Sequence, residues 1–516
     1  MAARYMRPLK DLPVCDILVS MRRQLSLNKV ICASYLLLLI ILCYFAGFKF
    51  PVPWDDEAFF LLQAYSFAKT NSLLSPYLSP ERVVMWIPPG YLILMGMIFK
   101  LTAFSLRSAR FVSLLFTFLS FTFVVKIIDV LKGNTFLKLA MFLFFLHPTF
   151  IAMANVGRQE AVYFALAIMS LYLLLSGRHL SALSVAAFSG LFHFNGIYVT
   201  VLSLIVIAVS CVKNRGHIEK YITSQCRKMD LLIFTVTVLA WCAYAALAIS
   251  NFNSLINDMT FQFAIKLSYP SFLKSYRSIG FLFFFCLILA YSLYRQRYDL
   301  ATISGFSLAC YILNGVGHMM WYGVFFVLAF SFSFIASYLL LKEERFTVAR
   351  AVIMVLIAVI PLSVITETAH GYSFFGMKYR FKGVYLTTPE RNYVEGSLLA
   401  IQKMRNSAVP LTVRFIKSGD GLLFLEFLEK NNFRLIQNLP IVRQRKADIE
   451  VYINKKYYNP GWIYLMSTER YRDTENIRIF FKGSFYSELK SSFSAGPPTL
   501  RSMNFPRLAQ SLTVRP

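Results

Sequence analysis

The chain has 516 residues, of which 57% are hydrophobic and only 15% charged, the composition of a polytopic membrane protein rather than of a soluble domain. Lys and Arg outnumber Asp and Glu by 53 to 26, a formal charge of +27. The sequence holds no aromatic-basic nucleic-acid module, so the charge points to loop orientation and to anionic lipid or a lipid phosphate as partner, not to nucleic acid.

The eight cysteines exclude two further classes. Cys32, Cys43, Cys242, Cys286 and Cys310 lie in apolar segments, and Cys15, Cys211 and Cys226 in basic flanks. There is no C-x-x-C pair, so neither a zinc site nor a disulfide framework is expected.

In chain order, residues 1–29 carry Arg4, Arg7, Lys10, Arg22, Arg23 and Lys29, which keeps this end in the cytoplasm and makes the first apolar segment a retained signal anchor. The first span covers about 30–48. It delivers Trp54-Asp55-Asp56-Glu57 to the outer side, within an outer loop of about 49–107. Charges beside hydrocarbon are costly without partners or a task. Asp55 or Asp56 can cap the helix expected over Ala58 to Lys69; three acids in a row in a chain this poor in acids also suit chemistry. After Pro88-Pro89-Gly90-Tyr91, the apolar run to about residue 102 reads as a hairpin-like helix dipping into the outer leaflet. That leaves Arg107 and Arg110 outside, beside the acids.

Spans follow at about 108–128, 136–153 and 161–176. The third ends in His147-Pro148 and a loop holding Gly157-Arg158-Gln159-Glu160 on the outer face. A short span five and a span six flank His193-Phe194-Asn195-Gly196. The basic loop 213–230 is expected inside. Span seven, 231–249, leads to an amphipathic outer segment of about 250–277 with Asp258, Lys266, Lys274 and Arg277. Spans eight to ten pass Arg295, the turn at His318, and Arg345, and span eleven covers about 349–366. About eleven spans place the C-terminus outside. From 367 the hydropathy drops. Strands are expected at Leu411–Ile416, Phe433–Gln437 and Asp448–Asn454, with a helix over Asp420–Lys430, making 367–516 a small extracytoplasmic α/β domain with a loose tail.

The outer face thus collects Asp56, Glu57 and Glu160 with Arg82, Arg107, Arg110, Arg158 and the basic outer segment. A carboxylate that deprotonates a hydroxyl, next to cations that receive charge on a leaving phosphate, fits group transfer from a lipid carrier. No Gly-rich nucleotide motif and no G-x-S-x-G is present.

The ordered set Trp54-Asp55-Asp56-Glu57-Ala58-Phe59-Phe60, Ile87-Pro88-Pro89-Gly90-Tyr91-Leu92, Ser108-Ala109-Arg110 and Gly157-Arg158-Gln159-Glu160 resembles the polyprenyl-phosphate-dependent GT-C glycosyltransferases. The likeness is to the branch with protein O-mannosyltransferases and the aminoarabinose transferases of lipid A. It spans about residues 30–215, is vaguer over 230–366, where Gly317-His318 is similar to a late outer-loop motif, and is absent from the C-terminal domain. The resemblance implies a GT-C-like domain over 30–366, Asp56 as catalytic base with Glu57 as its partner, and Glu160 as second-loop acid where the family usually has Asp. It implies Arg110 on the donor phosphate, helped by Arg107, Lys266 or Lys274. Trp54, Arg158 and His318 are candidates for sugar or acceptor contact. The implied reaction transfers a sugar from a polyprenyl phosphate, with inversion, to a hydroxyl of an extracytoplasmic protein, lipid or glycan. A divalent metal shared by the acids is possible and none is assigned. The expected setting is a bacterial inner membrane, with the endoplasmic reticulum as the alternative, and the site on the outer face.

Plainer readings stand beside these. Arg107 and Arg110 also read as interfacial anchors, Arg158 as a partner of Glu160, and His147, His193 and His318 as helix-end or turn residues. Trp54 and Trp86 also suit an interface belt. A lipid-linked glycan flippase, a glycan polymerase or ligase, and a membrane scaffold are the competing functions; a flippase would place its acids near mid-membrane.

Overall fold

The computed structural model describes residues 14–43, 55–213, 223, 227–268, 276–316, 323–343, 372–374, 377–379, 388–405, 409–416, 418–437, 446–453, 477–482 and 512–515. Helix α1 (Val14–Cys43) is followed by α2 (Asp55–Thr70), α3 (Gly90–Thr102), α4 (Leu106–Val130), α5 (Thr135–Phe145), α6 (Pro148–Ala154) and α7 (Glu160–Leu175). Next come α8 (His179–Gly190), α9 (Gly196–Lys213), α10 (Lys228–Ser250), α11 (Phe252–Ser268), α12 (Tyr276–Tyr294), α13 (Tyr298–Val316) and α14 (Gly323–Glu343). Among the described residues, α4, α9 and α10 are long and apolar enough to cross a membrane. The expected span over 349–366 lies outside the described residues.

Local chemistry sets several boundaries. Ser105 caps α4 by accepting from the Ser108 amide at 3.3 Å, and Asn134 caps α5 by accepting from Leu137 at 3.2 Å. The expected third span is two helices, α5 and α6. Pro148 starts the second, where its missing N–H costs nothing, and the break falls at Leu146-His147. At 13 residues, about 20 Å long, α3 is too short to cross a hydrocarbon layer of about 30 Å. It packs against α2. Gly96 permits the approach, since a Cβ there would lie 2.5 Å from Phe67 Cδ1 and 2.9 Å from the Ala64 carbonyl.

Among the described residues two large apolar clusters organise the fold, beside a small third one at Leu173, Leu174, Ala182 and Val185. One joins α1, α4, α5, α6, α7, α13 and α14, with Tyr35, Phe121, Phe145 and Phe150 wholly buried. The other runs from α2 and α3 into the C-terminal domain, so that Leu73, Tyr77 and Leu78 share a core with Leu422, Leu425, Leu428, Phe433 and Leu435. Burying one such Leu is worth about 1.5–3 kcal/mol, so the shared core ties the domain to the first loop by more than its polar contacts.

The C-terminal part opens with a hairpin, β1 (Tyr372–Phe374) and β2 (Met377–Tyr379), and α15 (Thr388–Arg405). A five-stranded mixed sheet follows, in the order β4-β3-β5-β6-β7. Its strands are β3 (Leu411–Phe415), β4 (Phe433–Leu435), β5 (Ile449–Ile453), β6 (Ile477–Lys482) and β7 (Leu512–Arg515). The first three fall where alternating hydrophobicity predicts them. The helix expected over 420–430 is two short ones, α16 (Ser418–Leu423) and α17 (Leu425–Lys430), with Phe424 between them stacked on Phe415 at 5.0 Å.

Candidate active site

Helix α2 begins with consecutive acids, which the positive end of its dipole favours. Adjacent helical residues point about 100° apart. Asp56 and Glu57 therefore meet different partners. Glu57 turns inward to Arg110 of α4, accepting from Nε and one terminal nitrogen at 3.1 Å each, and takes a third bond from the Gly157 amide at 2.7 Å. Both side chains of the pair are 1% exposed. Gly157 fits because it has no side chain: a Cβ would sit 3.2 Å from Glu57 Oε1 and 3.1 Å from the Ala109 Cβ.

Asp56 turns toward Arg158. That guanidinium donates to Asp56 Oδ2 at 2.9 Å and forms a two-point pair with Glu160, Nε to Oε2 at 3.1 Å and a terminal nitrogen to Oε1 at 2.7 Å. It lies 5.3 Å from the Phe60 ring centroid, within cation–π reach. Three acids and two arginines thus form two braced sets side by side, Glu57–Arg110 and Asp56–Arg158–Glu160. They differ in access. The side chains of Glu57 and Glu160 are 1% and 8% exposed, and that of Asp56 is 28% exposed.

The structure therefore brings together Asp56, Glu57, Arg110, Arg158 and Glu160. Arg107 is exposed, one helical turn before Arg110 on α4. Trp54, Lys274 and His318 lie outside the described residues, as does the side chain of Lys266, whose backbone belongs to α11. Helix α11 itself is fixed against the segment that precedes α3. Buried Asp258 accepts from Arg82 at 2.7 and 3.0 Å and from the Met85 amide at 2.7 Å, and Trp86 meets Phe261 edge-on at 6.1 Å.

The sequence pattern assigns no role of their own to Tyr91 and Gly157, and reads His193 as a turn residue. Tyr91, in the first turn of α3, is wholly buried within electrostatic reach of Glu57, Glu160 and Arg158, and its hydroxyl has no hydrogen-bond partner among the described residues. Its place directly after Pro-Pro-Gly was the available signal. Gly157 was read only as a motif letter. His193 lies close enough to Glu160 to act on its charge, although its turn reads as structural; its Nδ1 accepts from the Asn195 amide at 3.1 Å. Gly90, which loosens a helix on propensity alone, has a packing reason: its amide donates to the Leu191 carbonyl at 2.9 Å, and a Cβ would lie 2.5 Å from that oxygen.

Chemically, the arrangement offers one accessible carboxylate, Asp56, oriented by a guanidinium at 2.9 Å, with a second arginine fixed nearby. Among the described residues no cluster of three metal-ligating side chains occurs. The two acids that a metal would bridge are bridged by Arg158.

The far end of α2 is anchored as well. Tyr65 and Lys69 each donate to Glu429 Oε2 at 2.7 Å, Tyr77 donates to Glu429 Oε1, and the Gln437 amide donates to the Tyr77 carbonyl at 2.8 Å. Burial raises the Glu429 carboxyl, but the bonds from Lys69, Tyr77 and Tyr65 outweigh it and hold the group below the ordinary glutamate value. Burial first, then Glu429, keeps the Tyr77 phenol protonated as a donor.

No protein-family model matches the chain. No curated protein matches it either. Among solved structures, the chain is similar to ArnT from Cupriavidus metallidurans bound to undecaprenyl phosphate, with 10% sequence identity and a TM-score of 0.46 over 82% of this chain and 93% of that chain.

Proposed function

We propose that this chain is an integral membrane glycosyltransferase of GT-C type, which moves a sugar from a polyprenyl phosphate to an extracytoplasmic acceptor hydroxyl with inversion. The observation that carries the reading is the difference in access among the three acids, with Asp56 open and Glu57 and Glu160 enclosed. The ordered motifs of residues 54–160 supply the reaction class by resemblance.

In this reading Arg158 holds Oδ2 of Asp56, and Oδ1 takes the proton of the acceptor hydroxyl. The hydroxyl oxygen bonds to the anomeric carbon as the bond to the phosphate oxygen breaks, and the lipid phosphate leaves with the electron pair. Arg110, locked on Glu57, is a fixed positive centre for that phosphate. Arg107, on the same face of α4, approaches it directly, with Lys266 and Lys274 as further candidates. Placing charge stabilisation in a preorganised, partly dry site makes each of these interactions stronger than in water. The apolar faces of α9 and α10, exposed at Val201, Leu204, Ile205, Leu232, Val236 and Leu239, face lipid.

The test uses the purified chain in lipid with a panel of polyprenyl-phosphate sugars, following donor loss for wild type and Asp56→Asn. Turnover of one donor, reduced about a hundredfold or more in the variant at equal folding, supports a carboxylate base. Full turnover in the variant removes Asp56 from that role. Lipid movement across the bilayer without donor loss sinks the transferase reading in favour of a flippase.

A further inference from the structure

Three buried polar side chains around the Arg158–Glu160 pair each carry an unpaired atom. The Tyr91 hydroxyl, Gln159 Oε1 and Asn195 Nδ2 have no hydrogen-bond partner among the described residues, and the three residues are 0%, 4% and 7% exposed. Buried polar groups almost always find a partner, so three orphans gathered at one place call for a reason.

They gather at the first turn of α7. Gln159 immediately precedes Glu160, and its side chain makes no capping bond to the helix it opens. Tyr91 lies within electrostatic reach of Glu160 and Arg158. Its ring meets Phe60 edge-on at 6.5 Å, the same ring that stands 5.3 Å from the Arg158 guanidinium. Asn195 is tied to α7 through its backbone. Its carbonyl accepts from the Tyr163 hydroxyl at 3.3 Å, and its amide donates to Nδ1 of His193 at 3.1 Å. The His193 ring is 5.2 Å from that of Tyr163 and close enough to Glu160 to act on its charge. The bond from the Gly90 amide to the Leu191 carbonyl holds the start of α3 against the turn that carries His193 and Asn195.

The orphans are uncharged and mixed in kind. Gln159 Oε1 accepts, Asn195 Nδ2 donates, and the Tyr91 hydroxyl does either. A sugar hydroxyl, itself donor and acceptor, complements all three. An ammonium group would instead need a carboxylate, and Glu57 and Glu160 are already held by Arg110 and Arg158. Asp56, the open acid, is used on the acceptor. A site that hydrogen-bonds a substrate hydroxyl discriminates strongly, because an analogue lacking the hydroxyl leaves the protein's own groups unpaired.

We propose that Tyr91, Gln159 and Asn195 form the subsite that reads the hydroxyls of the transferred sugar, and that this sugar is neutral rather than an amino sugar. The inference rests on the transferase reading and adds to it the sugar class and the groups that select it. Full-length Asp56→Asn protein in phosphatidylcholine nanodiscs, chosen to suppress turnover, is titrated with bare undecaprenyl phosphate and with its glucose, mannose, galactose and glucosamine esters. At least one neutral ester is expected to bind tenfold or more tighter than the bare lipid, a gain the glucosamine ester does not share. In the same background, Gln159→Met is expected to cut that gain about threefold or more and Gln159→Met/Asn195→Leu to abolish it, with affinity for the bare lipid unchanged. Tyr91→Phe and Gln159→Met, each tested singly, keep the experiment decisive if the double variant does not fold. Variants that retain the whole gain overturn the proposal, as does a glucosamine ester that binds more tightly than every neutral one. Binding of the bare lipid with no gain from any sugar overturns this inference alone. Failure of both the Asp56→Asn protein and wild type to bind bare lipid or any ester removes the transferase reading, and this inference with it.

Discussion

Arg110 and Glu57 lie 53 positions apart in the chain and meet through two hydrogen bonds of 3.1 Å, with both side chains 1% exposed. A pair so enclosed is repaid for its lost hydration only while both members are present. It therefore braces α2 against α4 and fixes the direction in which the neighbouring Asp56 points.

Removing one member is expected to be costly. Glu57→Gln or Arg110→Met leaves an uncompensated buried charge, at about 3–5 kcal/mol. Thermal unfolding should show each single variant well below wild type, with the double variant less destabilised than the sum of the two.

Asp56→Asn should behave differently, because its side chain is partly open and shares only one bond with Arg158. Its thermal midpoint is expected near wild type while donor turnover falls. Equal losses of stability in Asp56→Asn and Glu57→Gln would contradict the division between an open acid and an enclosed one.

Gly157→Ala tests the cradle. The added Cβ lies 3.1–3.2 Å from Ala109 Cβ, Leu61 Cδ1 and Glu57 Oε1, so three neighbours must yield together. Overpacking of this kind costs about 1–3 kcal/mol. Stability should fall by that order, and turnover should fall further than Gly90→Ala, which crowds α3 against Leu191 instead.

Tyr91→Phe removes a buried hydroxyl that has no partner among the described residues. Deleting an unsatisfied polar group is neutral or stabilising. An unchanged or higher thermal midpoint with turnover at least tenfold lower would place the hydroxyl on substrate; unchanged turnover would leave it as packing.

The Glu429 junction should be acid-labile. Its folded pKa lies below the unfolded value of about 4.3, so its contribution is present at neutral pH and is lost as pH falls through the folded value. Hydrogen exchange in the last turn of α2 should therefore rise below about pH 4 in wild type. Glu429→Gln should show that raised exchange already at pH 7, with a smaller change on acidification.

Parts of this arrangement are legible in the sequence because they are local. Arg158 and Glu160 are two positions apart, and their pairing is one of the plain readings of that stretch. The alternation of Leu411–Phe415 and Ile449–Ile453 shows two half-buried strands. The partners of Glu57 are not legible, since nothing near it distinguishes Arg110 from Arg107; in the fold Arg107 stays exposed at the start of α4 while Arg110, one turn further along the same face, is buried. Helix α15 escapes because its polar sequence shows little contrast with a loop, although Val394, Leu398 and Ile401 pack against the sheet. The break in the third apolar run was signalled by Pro148 and hidden by the hydrophobicity on either side.

The grip of Glu429 on Tyr65 spans 364 positions. At about 5–20 residues per second, a ribosome needs roughly 20–70 s to supply Glu429 after Tyr65 has emerged. During that interval the nascent protein holds its acidic helix by Arg110 and by α3 and residues 73–84, without the anchor at its last turn. Completion of the site is therefore timed by translation, and a product cut short before Glu429 would retain every residue of the Asp56 cluster while lacking the anchor at the opposite end of α2.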